Sequence, residues 1–90
     1  MPEFILTDIQ KDSTRKPKSI SYECSIRWSD NEVSVFVEEK EMAGLLLYFK
    51  KIKPRDLINE KFTSFHVSIP KAFDELMNKI DMRSKLKIIA

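Results

Sequence analysis

The chain has 90 residues, a formal net charge of +2 at pH 7 and 42% hydrophobic residues, which predicts one soluble domain with a single core. One cysteine excludes an internal disulfide, and one glycine excludes the glycine-rich phosphate loops of nucleotide-binding enzymes. The longest apolar run, residues 42–49, is too short to span a bilayer, and Met1 is not followed by the basic residues of a signal peptide, so we expect a cytoplasmic protein.

Residues 4–9 favour a first β-strand because they are rich in β-prone residues. Either Phe4 and Leu6 or Ile5 and Ile9 form its buried face. Residues 10–18 are polar and include Pro17, so they are predicted to form an exposed loop.

Residues 19–38 predict a β-hairpin because apolar and polar residues alternate on both sides of a polar turn. The predicted buried face comprises Ile20, Tyr22, Cys24, Ile26, Trp28, Val33, Val35 and Val37. Asp30 and Asn31 suit a tight turn. With these two residues at the turn, the predicted cross-strand pairs are Trp28–Val33, Ile26–Val35 and Cys24–Val37. The opposite face carries Ser25, Arg27, Ser34 and the aromatic Phe36.

Residues 39–53 predict an amphipathic α-helix that ends before Pro54. Its apolar stripe is Met42, Leu45, Leu46, Phe49 and Ile52. Acidic residues lie near its start and lysines near its end, an order that complements the helix dipole. This helix is expected to cover the apolar face of the hairpin.

Residues 63–69 alternate again and predict a strand with Phe65, Val67 and Ile69 buried and Ser64, His66 and Ser68 exposed. Pro70 then suits the first turn of a second helix. The apolar stripe of that helix is Phe73, Leu76, Met77 and Ile80. Residues 83–90 fit a continued helix or a final short strand, and the β-branched residues near the end favour the strand.

The element order β-β-β-α-β-α, with a final β for residues 83–90, predicts an α+β fold. We expect one domain over residues 1–90, built on a small antiparallel sheet with helices packed mainly on one face. Alternatively, the second helix covers the opposite sheet face, which would bury Phe36.

His66 is the single imidazole of the chain and has the chemistry of a general base. No partner nucleophile is evident, although Ser64 and Ser68 share its predicted face, so an exposed polar role is favoured. Cys24 lies on the predicted buried face, which favours a packed thiol in a reducing compartment over a nucleophile or metal ligand. No catalytic residue, metal site or cofactor is therefore predicted, and we expect no enzyme.

The carboxylates Glu38 and Glu39 with Lys40, eight residues after Asp30, have a spacing similar to that of restriction-type nucleases. In such enzymes the carboxylates hold Mg²⁺ and the lysine positions the attacking water. Here Asp30 lies in the predicted turn, and acids are expected at the start of a helix for other reasons. A metal-dependent nuclease is therefore the third hypothesis for function.

Basic residues form two groups, and these indicate nucleic-acid binding as the alternative function. The candidate contacts are Lys11, Arg15, Lys16, Lys18, Lys50, Lys51, Lys53 and Arg55. If these groups converge, Phe36 beside Arg27 could stack a base. The acidic residues nearly cancel this charge overall, which favours a solvated surface over a binding site.

Phe36, with Arg27, Ser25 and Ser34 around it, also fits an interface with another protein. The leading hypothesis is a small non-enzymatic regulatory or accessory protein that acts by protein–protein binding. Its partner is another protein or a second copy of the chain. We expect a dimer, because small domains gain stability from additional buried area.

Overall fold

The computed structural model describes residues 1–16 and 19–89, with side chains described for residues 1–12 and 20–80. Four antiparallel strands form one sheet in the order β3-β2-β1-β4, and two helices pack on one face of it. The elements are β1 (Glu3–Lys16), β2 (Ser19–Trp28), β3 (Asn31–Glu38), α1 (Glu39–Phe49), β4 (Lys61–Thr63) and α2 (Ile69–Ile89). The predicted α+β fold is confirmed. Within the described residues, neither helix is long and apolar enough to cross a bilayer.

Strand β1 is longer than predicted. Residues 10–16 belong to this strand, so the loop predicted over residues 10–18 is wrong for them, and residues 17 and 18 lie outside the described residues. Its polar half pairs with β2, Gln10 lying opposite Glu23. Backbone pairing with a neighbouring strand stabilises a polar segment that side-chain pattern alone assigns to a loop. A register shift between Leu6 and Asp8 lets Leu6 and Ile9 both pack on the core side. The buried face of β1 therefore combines Phe4 and Leu6, which formed one predicted face, with Ile9, which belonged to the other.

The hairpin has the predicted faces, but its predicted register is wrong by two residues. Its turn is Ser29-Asp30, and Ser29 has a positive φ of 57°. The observed pairs are Trp28–Asn31, Ile26–Val33, Cys24–Val35 and Tyr22–Val37. A two-residue turn with positive φ matches the twist of the two strands. Because side chains alternate with period two, a slip of two residues leaves every side chain on its predicted face.

Helix α1 covers the hairpin as predicted, with Met42 and Leu45 fully in the core. At its start the backbone N–H of Glu38 donates to Glu41 Oε1 at 2.9 Å, which satisfies a helix-terminal donor. The helix ends at Phe49 because Lys50 adopts the left-handed conformation with φ 58°. Ile52 therefore lies outside the helix and is 86% exposed, which contradicts its predicted place in the core.

Close packing of α1 against α2 depends on Gly44. A Cβ atom at this position would lie 2.8 Å from Cγ2 of Ile80. That methyl is part of a β-branched side chain, which has little freedom to move aside in a helix. The single glycine of the chain therefore allows the two helices to approach, and does not serve a phosphate loop.

An aromatic row links the sheet to α2. Phe4 packs between Trp28 and Phe62, with ring centroids 5.5 and 5.4 Å away, and Phe62 in turn lies 6.4 Å from Phe73. Phe4 and Phe62 are directly opposite each other on β1 and β4. This row fixes the short strand β4 to the rest of the sheet.

The strand predicted over residues 63–69 is wrong. Strand β4 ends at Thr63, and Phe65 and Val67 are 79% and 71% exposed, whereas Ser64 is buried. The cause is that Thr63 pairs with Glu3 at the start of β1, so later residues have no strand beside them.

Helix α2 confirms the predicted stripe: Phe73, Leu76 and Ile80 are buried, and Met77 packs against them. Its start at Ile69 places Pro70 in the first turn, as predicted. The helix continues to Ile89, so the favoured final strand is wrong. Each residue added to an existing helix gains a backbone hydrogen bond within the helix.

Candidate protein-binding surface

Both helices pack on the inner face of the sheet, so the outer face is open in the part of the chain that the structure describes. Cross-strand pairing places the outward side chains in rows across β1, β2 and β3. We call this face the outer sheet surface. Its members on these strands are Glu3, Ile5, Asp8, Gln10, Asp12, Ser21, Glu23, Ser25, Arg27, Glu32, Ser34, Phe36 and Glu38. The alternative that α2 covers this face is therefore wrong.

The four residues predicted from the sequence as partner contacts lie together on this surface. Ser25 and Ser34 are directly opposite each other, with their Oγ atoms 3.4 Å apart. Arg27 and Phe36 are exposed on either side of them, and Phe36 retains 45% of its surface in solvent. The fold thus brings one exposed aromatic ring, two hydroxyls and a guanidinium onto one patch.

Acidic side chains dominate the outer sheet surface. The strand residue opposite Phe36 is Glu23, and the residue opposite Arg27 is Glu32. The described acidic side chains on this face are Glu3, Asp8, Asp12, Glu23, Glu32 and Glu38, and the basic ones are Arg27 and Lys61. Phosphate groups would be repelled from such a surface, and cationic groups attracted.

A groove lies beside this surface, between β3 and α2. It has a volume of about 440 Å³, within the range of about 300–1,000 Å³ that ligand pockets span. Val35, Val37, Phe73 and Met77 contribute apolar side chains to it. Its charged lining residues are both acidic, Glu41 and Asp74. The sequence predicted that these apolar residues lie in the core, and it did not predict a groove. The groove exists because β3 is at the edge of the sheet, and the order of the strands cannot be read from the sequence.

The basic residues predicted for nucleic-acid binding occupy different parts of the fold. The Lys51 side chain forms an ion pair with the Glu60 carboxylate at 3.0 Å, and the backbone carbonyl of Glu60 accepts a hydrogen bond from the N–H of Leu6. Lys11 lies five residues after Leu6 on β1, about 16 Å from it along the strand at about 3.3 Å per residue. Lys50, Lys53 and Arg55 are exposed near Lys51. The side chains of Arg15 and Lys16, and the whole of Lys18, lie outside the described parts of the chain.

The carboxylates predicted for a nuclease site do not meet. Asp30 is in the hairpin turn and Glu38 ends the strand that follows it. Eight residues of extended chain separate them by about 26 Å. Among the residues the structure describes, no three His, Cys, Asp or Glu side chains form a group that could hold a metal ion.

His66 and Ser64 meet at Glu75, an arrangement we call the Glu75 clamp. The buried Ser64 hydroxyl donates to Glu75 Oε2 at 3.2 Å, and His66 Nε2 lies 3.3 Å from the same oxygen. The backbone N–H of His66 donates to Ser64 Oγ at 3.1 Å. A nucleophilic serine needs its proton accepted by the base, whereas here the serine proton points to the carboxylate. The clamp holds the loop after β4 against α2.

Cys24 is fully buried on the inner face of β2, as predicted. Burial raises the pKa of its thiol from 9.0 to about 12, and the negative charge of Glu23 adds to the shift. The thiolate is the reactive form of cysteine. This thiol is therefore protonated at neutral pH and sequestered from reagents.

We expect Cys24 to resist a chromogenic thiol reagent at neutral pH in the folded protein and to react fully in denaturant. Above pH 9.0 the unfolded chain loses the thiol proton, whereas the folded chain keeps it up to about 12. The stabilising contribution is therefore complete below pH 9.0 and is lost as pH rises toward 12. Across this pH window, the free energy of unfolding measured with urea should fall less steeply for Cys24→Ala than for the unchanged protein. An identical decline in both proteins would contradict the buried, neutral thiol.

Comparison of the chain with protein-family models, curated proteins and solved structures found no match.

Proposed function

We propose that this chain is a small non-enzymatic protein-binding domain, regulatory or accessory in role, whose partner contacts the outer sheet surface around Phe36. The observation that carries the proposal is a large aromatic side chain, 45% exposed, on a sheet face that neither helix covers among the residues the structure describes. Aromatic residues and arginine dominate binding energy at protein interfaces. Arg27, Ser25 and Ser34 supply the polar surroundings that such anchors have.

The charge of this surface argues for a basic partner. Glu23 lies opposite Phe36, and Glu38 follows it two residues later on the same face. A nucleic acid stacked on Phe36 would bring phosphates to these carboxylates, so the nucleic-acid alternative depends on the basic groups at 11–18 and 50–55 and not on Phe36. Two copies meeting through this surface would also bring like charges together. The predicted dimer therefore stays a prediction, and a basic protein is the partner we favour.

We expect Phe36→Ser to weaken binding to the native partner by about tenfold or more, because losing an aromatic hot spot costs about 2 kcal/mol or more and about 1.4 kcal/mol corresponds to tenfold. The measurement is partner recovery on the immobilised chain from its native host, followed by titration of the purified partner. Phe65→Ser is the matched control, because it removes another exposed phenylalanine outside the outer sheet surface. Circular dichroism should be unchanged for both variants.

Equal recovery by the Phe36→Ser chain, or equal loss with Phe65→Ser, would contradict the proposed surface. The nucleic-acid alternative gives a different result: binding of a short DNA or RNA strand should fall steeply with salt. That binding should be lost on reversing the charges of Lys50 and Lys51 and retained by Phe36→Ser.

A further inference from the structure

Strand β3 is an edge of the sheet, since within the described chain it pairs with β2 on one side and with no strand on the other. The pair closing a two-residue hairpin, here Trp28–Asn31, is hydrogen-bonded, and hydrogen-bonded pairs recur at every second residue. The backbone groups of Glu32 and Ser34 therefore point away from β2, toward the open edge. An edge of this kind accepts an added strand.

The groove between β3 and α2 lies directly beside this edge. A strand added next to β3 would continue the sheet, so every second side chain would point to the inner side. There it would meet the apolar groove residues Val35, Phe73 and Met77. The alternate side chains would point outward, beside Glu32, Ser34 and Phe36.

The charges at this edge select the composition of the added strand. The outward charged residues of β3 are Glu32 and Glu38, and those of the groove are Glu41 and Asp74. The outward-facing residues of the added strand are therefore expected to be lysine or arginine. Its inward-facing residues are expected to be apolar, because they meet Val35, Phe73 and Met77. A second copy of β3 fits poorly, because its own outward charges are also acidic and like charges opposite each other destabilise a sheet.

We propose that the partner contributes an extended segment of alternating basic and apolar residues, which adds antiparallel to β3 as a fifth strand. Its apolar side chains fill the groove between β3 and α2, and its basic side chains meet the outer sheet surface. This inference rests on the proposed protein-binding function and specifies the kind of partner that it takes.

The test uses the full chain, labelled with ¹⁵N, and the capped probe peptide Lys-Val-Lys-Phe-Lys-Val-Lys. We expect amide shifts confined to β3 and the facing residues of α2, such as Phe73 and Asp74. The peptide Glu-Val-Glu-Phe-Glu-Val-Glu, with the same apolar residues, should bind at least about tenfold more weakly. Equal affinity of the two peptides, or shifts centred elsewhere, would overturn the proposal.

Backbone pairing is tested on the peptide, so that the protein fold is left intact. In an antiparallel addition the lysine amides face β3 and the amides of the apolar residues face solvent. N-methylation of the lysine amides should abolish binding, and N-methylation of the apolar residues should leave most of it. The same affinity for both methylated peptides would exclude strand addition.

A charge swap in the protein provides the matched variant. Glu32→Lys should weaken binding of the lysine peptide by about threefold, as expected for an exposed ion pair, and it should strengthen binding of the glutamate peptide. Glu3→Lys, on β1 of the same face, should have a smaller effect. If Phe36→Ser releases the native partner while the peptide results fail, the protein-binding function stands and strand addition falls. If Phe36→Ser also has no effect on that partner, both proposals fall.

Discussion

Replacing Phe4 with alanine is expected to lower the free energy of unfolding by about 3–5 kcal/mol, the range for a buried phenylalanine truncated to alanine. Phe4 is fully buried, and its ring packs between Trp28 and Phe62. The truncation leaves a cavity at the centre of the aromatic row and removes the cross-strand partner of Phe62 on β4. Folded domains have total stabilities of about 5–15 kcal/mol, so the variant should lose a large fraction of its stability.

Phe65→Ala is the matched control for Phe4→Ala, because it makes the same chemical change at a residue that is 79% exposed. Its effect should stay within about 0.5 kcal/mol, as for most surface substitutions. Urea unfolding followed by Trp28 fluorescence measures both variants. Comparable losses for the two variants would mean that Phe65 lies in the core, as alternation in the sequence predicted, and would contradict the observed end of β4.

Replacing Glu75 with alanine is expected to cost about 2 kcal/mol, within the range for hydrogen bonds to a charged group. Glu75 Oε2 accepts a hydrogen bond from the buried Ser64 hydroxyl at 3.2 Å. Without that carboxylate the hydroxyl proton loses its acceptor in a place that water does not reach. Its carboxylate is also within 3.3 Å of His66 Nε2, so the loop after β4 should open more often. Faster hydrogen exchange at the amide of His66 would report this opening.

Two further variants separate the hydrogen bond of Glu75 from its charge. Glu75→Gln keeps an oxygen acceptor for Ser64, and we expect it to lose about half as much stability as Glu75→Ala. Lys79→Ala removes only the exposed ion pair with Glu75, whose atoms are 3.6 Å apart, and should cost less than about 0.5 kcal/mol. A Glu75→Ala loss no larger than that of Lys79→Ala would show that the clamp does not hold the loop.

The outer sheet surface illustrates which part of a candidate site is accessible from sequence. The alternation of Ser25, Arg27, Ser34 and Phe36 with apolar residues placed all four on one face, and the structure places them together on that face. Glu23 was not predicted opposite Phe36, because the predicted register differs from the observed one by two residues. Asp8 of β1 was not predicted on this surface either, because it joins the surface only through pairing with β2. The groove was missed for the same reason, since its walls come from β3 and α2.

The sequence by itself determined the buried faces of the hairpin and of both helices, because each face depends on a local period of side-chain direction. It could not determine the hairpin register, because a slip by two residues leaves that period unchanged. Only the tertiary structure decided the lengths of β1 and β4, because a strand extends as far as its neighbour supplies backbone partners. Phe65 is exposed for this reason: Thr63 pairs with Glu3, at the start of β1, and the alternation that follows has no strand to pair with.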